Sequence, residues 1–102
     1  MGFDIRLEDE RGAALDTVGD PQDLLVRLLP QPQDESFSCL RFVDPYGDTT
    51  FNQAQMATVV EELGRLHAIA TTPHERELLD AIRELARRCQ SEPHLYMKFY
   101  GD

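Results

Sequence analysis

Three histidines, His67, His74 and His94, are the side chains here best suited to bind a metal or move a proton near neutral pH. His74-Glu75 begins like an H-E-x-x-H zinc helix, but position 78 is Leu78 and the second ligand is missing. The three fall on two predicted helices and a strand flank without ligand spacing, so no metal or other cofactor is expected. Asp44 and Asp48 flank a tight turn and, with Asp20 or Glu35, offer oxygen ligands to a hard cation. The alternating oxygens of a calcium loop are absent, and Asp44 reads more simply as a turn initiator that bonds its own backbone. If the chain is an enzyme, the reading left is a small metal-dependent one using Asp44, Asp48 and His94.

Nucleophiles are few. Ser36, Ser38 and Ser91 lie outside any G-x-S-x-G elbow, and no glycine-rich phosphate loop occurs. Cys89 continues an apolar helix stripe, and Cys39 shares strand parity with Arg41. No secretory leader is visible, so a cytoplasmic location and buried thiols are expected rather than a disulfide. Met1-Gly2 lacks the Ser or Thr of a myristoylation signal, because position 6 is Arg6. Together these features predict a protein that is not an enzyme.

Charge narrows the partners. The 102 residues carry 19 acids against 10 bases, a formal charge of −9. Residues 1–51 hold eleven acids and four bases, so most of the excess lies in the first half. Such a chain repels phosphate backbones, which argues against nucleic acid and anionic membrane. No apolar run approaches the roughly 18 residues of a membrane span. A basic protein partner is expected, met by loops carrying Asp9, Glu10, Asp34, Glu35, Asp44 and Asp48, with Tyr46 in the last turn.

The elements that carry these residues follow from periodicity. Phe3, Ile5 and Leu7 alternate with charged residues and predict a strand; Asp9-Glu10-Arg11-Gly12 turns it into a second, Ala13–Val18. Asp20-Pro21 predicts a helix start, with Leu24, Leu25, Leu28 and Leu29 as its apolar stripe and Pro30 as its stop. Phe37–Val43 predicts a third strand and 37–52 a second hairpin around Pro45-Tyr46-Gly47. Asn52 with Gln55, and Thr72-Pro73 with Glu75, predict capped helices over 53–70 and 73–91. Leu95, Met97 and Phe99 alternate with Tyr96, Lys98 and Tyr100 in a last strand.

The order β-β-α-β-β-α-α-β predicts one α+β domain over residues 1–102. It has two layers: an antiparallel sheet of four to five strands with three helices on one face. The sheet's other face then shows Arg6, Arg41, Tyr96, Lys98 and Tyr100, beside Asp4 and Glu8. Arginine and tyrosine are enriched at binding hot spots, and an uncovered face of this kind predicts a weak homodimer.

Phe42-Val43-Asp44-Pro45-Tyr46-Gly47-Asp48 and the ending His94–Asp102 resemble parts of small acidic bacterial proteins. In size, acidity and α+β plan the chain is similar to bacterial toxin-immunity proteins, which block a basic toxin by surface complementarity. That resemblance implies a non-catalytic inhibitor or immunity-type protein for a basic bacterial partner. The alternative class is a subunit or sensor domain of a larger assembly.

Overall fold

A computed structural model describes residues 2–101. The alternating segments at the two ends of the chain form neighbouring central strands, β1 (Asp4–Asp9) and β4 (Leu95–Tyr100). They pair antiparallel, with Ile5 opposite Phe99 and Leu7 opposite Met97. β2 (Ala14–Gly19) flanks β1, and β3 (Asp48–Phe51) flanks β4, giving the order β2-β1-β4-β3 with every pair antiparallel. Ile5, Leu7, Leu95, Met97 and Phe99 are buried on one face, where Phe99 meets Phe3 and Phe51 edge to face.

Three helices complete the α+β fold: α1 (Leu25–Leu28), α2 (Met56–Ile69) and α3 (Pro73–Ser91). α3 lies against β1, β2 and β4, and α2 packs on α3. Both long helices begin as their sequence predicts. Asn52 and Gln55 form a reciprocal capping box ahead of α2, through a short 3-10 turn at Gln53–Gln55. Thr72 and Glu75 form another at α3, with Pro73 opening it. Glu75 accepts the Thr71 and Thr72 amides, which hold its carboxyl below the usual value. Arg76 Nη1 donates to Ala70 O at 3.0 Å, and Asp80 lies 3.3 Å from His67 on α2.

Two segments differ from their predicted form. The helix expected from Pro21 is only one turn long. Asp20 is buried and accepts from Leu24 N–H at 2.9 Å and Leu25 N–H at 2.7 Å, so residues 20–24 close into a turn. Asp23 takes a positive φ of 56°, which a helix does not allow. Residues 37–43 are not a strand, and the 37–52 hairpin does not form. They run as turns and a 3-10 segment at Leu40–Phe42, and β3 pairs with β4 instead.

The cause is Glu62 on α2, only 1% exposed. Its carboxylate accepts N–H groups from Ser38 at 2.5 Å, Cys39 at 3.1 Å and Leu40 at 2.9 Å. Amides that would have bonded a neighbouring strand are bound to a helix side chain, while Phe37, Leu40 and Val43 go into the core. Arg65 reinforces the attachment: it donates to Ser36 O at 2.6 Å and stacks over the Phe37 ring at 4.1 Å.

Candidate functional site

The anticipated acidic contact points divide between the two ends of the sheet. Asp9 and Glu10 occupy the β1–β2 hairpin, where Asp9 is opposite Leu95. Asp9 Oδ1 accepts from Arg11 and Ala13 N–H, and Glu10 lies 3.6 Å from His94. Asp48 is at the far end, opposite Tyr100. His94 and Asp48 are therefore separated by about 20 Å of strand at ~3.3 Å per residue. The Asp44, Asp48 and His94 set does not converge. Among the described residues, no three His, Cys, Asp or Glu side chains gather to hold a metal ion.

At Asp48's end the backbone is heavily bonded. Asp44 N–H donates to Thr49 Oγ1 at 3.0 Å, and Asp44 Oδ1 accepts Tyr46 N–H at 2.9 Å. Gly101 N–H donates to Gly47 O at 2.8 Å, tying the turn to the end of β4. Gly101 is required by close approach: a Cβ there would sit 2.5 Å from Pro45 C in the backbone of the turn, whereas one at Gly47 would meet only the end of the Asp44 side chain. On this fixed turn Tyr46 is 85% exposed, between the exposed Asp44 and Asp48. Phe42, 58% exposed, precedes it and carries the Arg41 guanidinium 4.4 Å above its ring.

Asp34 and Glu35 lie in a segment that Arg41 ties to Phe42. Arg41 donates to Pro32 O at 3.3 Å, drawing residues 32–36 toward Phe42. Asp34 accepts the Ser36 hydroxyl at 2.6 Å and its amide at 3.0 Å, and those bonds hold its carboxyl below the usual value. Arg41 thus links the Asp34 segment to the unanticipated Phe42, two residues before the Asp44 turn, while Asp9 and Glu10 lie at the other end of the sheet from Asp48. Phe42 was missed because the supposed strand placed it on the buried face. Its position next to the turn was the available signal.

The sheet's second face carries Arg6, Tyr96, Lys98 and Tyr100, all half-buried. Arg41 is not among them, because residues 37–43 are outside the sheet. Tyr100 lies along this face between two cations, with Arg6 4.8 Å and Lys98 5.2 Å from its ring centre. Its hydroxyl donates to Glu8, only 4% exposed, and that bond raises the Tyr100 pKa. The ring, hydroxyl and cations of this face are thus engaged with one another rather than solvated singly.

Cys39 and Cys89 are free and buried. Burial pushes the Cys89 thiol up to about 11 and, together with the Glu62 carboxylate, raises that of Cys39. Neither thiol is poised as a nucleophile. No helix among the described residues is long and apolar enough to cross a membrane. Comparison with protein-family models, curated proteins and solved structures gives no match.

Proposed function

We propose that this protein is a non-catalytic protein-binding module, an inhibitor or immunity-type protein that docks a basic partner through the Asp44–Asp48 turn. The observation that carries this reading is Tyr46: a large amphipathic ring held 85% in solvent by a turn whose backbone is fixed. Fixing the backbone beforehand lowers the entropy lost on docking, and tyrosine is among the side chains that dominate interface energies. Phe42 extends the apolar contact. Asp44 and Asp48 flank Tyr46 with negative charge, which speeds encounter with a basic surface and selects against acidic ones. A metal-dependent enzyme built on Asp44, Asp48 and His94 has no support in their separation.

The test is affinity capture from extract of the source cells, comparing the native chain with Tyr46→Ala and Phe42→Ala. A basic protein retained by the native chain, recovered at least tenfold less with Tyr46→Ala, is the expected result. Its retention should also weaken between low and physiological salt. Equal recovery by the native and Tyr46→Ala chains would contradict the reading.

A further inference from the structure

β2 lies at the edge of the sheet, and five of its six residues are exposed. Its ladder phase is fixed by Asp20 N–H donating to Phe3 O at 3.0 Å. Bonded pairs then recur every second residue, at Ile5/Val18 and Leu7/Asp16. Thr17 and Gly19 therefore turn their backbone groups outward, away from β1. The outward Thr17 amide is taken by its neighbour, Asp16 Oδ1, at 2.8 Å. Asp16 and Val18 lie opposite the buried Leu7 and Ile5, so their side chains share the helix-bearing face.

A groove of about 260 Å³ runs between this edge and α3. Val18, Leu24, Leu78 and Ala81 supply its apolar lining, and Glu77 adds negative charge. An exposed edge beside an apolar groove is the arrangement in which an added strand gains main-chain bonds from the edge and specificity from the groove.

We infer that β2 and this groove form a second docking site, for an extended segment of another protein that carries an apolar residue two positions from a lysine or arginine. On an added strand, alternate side chains face the same way, about 7 Å apart. The apolar one enters the groove beside Val18, and the cationic one meets Asp16. A carbonyl of the added strand takes the Thr17 amide, which frees the Asp16 carboxylate to pair with the cation. Charge selects this occupant over a second copy of the chain. Two β2 strands paired together would bring one Asp16 toward the other, with nine excess negative charges on each molecule.

The test is a selection of random twelve-residue displayed peptides on the immobilised full chain. Binding of a fluorescent enriched peptide is then measured by anisotropy and mapped by amide chemical shifts. Enrichment of an apolar residue two positions from Lys or Arg is expected, with shifts centred on Leu15–Gly19. Ala81→Lys, which fills the groove, should weaken binding at least tenfold. Asp16→Lys, at an exposed position, should do the same through charge should the first variant fold poorly. Tyr46→Ala should leave this binding unchanged, which separates the site from the turn. Enriched peptides without the pattern, shifts centred on residues 44–48, dimerisation through β2, or indifference to Ala81→Lys and Asp16→Lys would each overturn the inference.

Discussion

Residues 36–43 and 44–48 are consecutive, and in both a carboxylate holds backbone amides, yet one stretch is drawn into the core and the other held out of it. In the first, the carboxylate is distant in sequence and buried. Glu62 reaches across from α2 to three successive N–H groups, so Phe37, Leu40 and Val43 are carried inward with the backbone. In the second, the carboxylate is local. Asp44 bonds the amide two residues on, the chain reverses within Asp44–Gly47, and Tyr46 at the apex has nothing to pack against. The contrast shows that backbone order and side-chain exposure are set separately. A long-range acceptor produces a core anchor, whereas a short-range acceptor produces a rigid display.

The largest effect should come from removing the long-range acceptor. Glu62→Ala leaves the buried amides of Cys39 and Leu40 without their acceptor, while that of the exposed Ser38 can turn to water; with unsatisfied buried groups costing ~1–3 kcal/mol each, a loss of about 2–6 kcal/mol is expected in urea denaturation. Cys39, whose amide Glu62 holds, should then react faster with a thiol reagent. Unchanged stability and unchanged Cys39 reactivity would mean that Glu62 is not the anchor. A smaller loss, about 1–2 kcal/mol, is expected for Gly101→Ala, because its Cβ would meet Pro45 and overpack the turn. Hydrogen exchange should then quicken in 44–48 while the amides of Ser38–Leu40 keep their protection. Equal loss of protection in both stretches would show them to be one unit.

Much of the fold was legible in the sequence for reasons that are local. The capping boxes at Asn52 and Thr72 complete themselves within four residues, and the alternation at both ends of the chain needs only an adjacent core. What was illegible depends on partners far away. Phe37–Val43 has the composition of a strand, and only Glu62, more than twenty residues on, diverts it. The short α1 likewise follows from Asp20 burying its carboxylate under Leu24 and Leu25 rather than capping at Pro21. The same misreading put Arg41 on the sheet and hid Phe42, whereas the exposed turn around Tyr46 could be read from its own residues.

pH acts on the first stretch through its entry. Asp34, bonded by Ser36, has a folded pKa below its ordinary 3.8. Its contribution is present above that ordinary value and is lost as pH falls through the lower folded one. Native Asp34 should therefore steepen the stability decline below pH 4, and Asp34→Asn should flatten it; identical acid profiles would remove Asp34 from the account. The smallest effect on stability belongs to the display. Tyr46→Ala should shift unfolding by no more than about 0.5 kcal/mol, as at other exposed sites. A loss of 2 kcal/mol or more would mean that Tyr46 packs against the molecule rather than waiting for a partner.

The most direct measurement is the affinity of the captured basic partner for the native chain, for Tyr46→Ala, and for the double variant Asp44→Asn/Asp48→Asn, each at low and physiological salt. Asparagine at 44 keeps an oxygen for the Tyr46 amide, so the double variant removes charge while leaving the turn closed. The predicted result is a loss of at least tenfold with Tyr46→Ala at either salt. The double variant should bind more slowly than the native chain at low salt, with the difference shrinking as salt rises. An affinity unmoved by Tyr46→Ala, in a chain that remains folded, would contradict the assignment of the turn as the docking site.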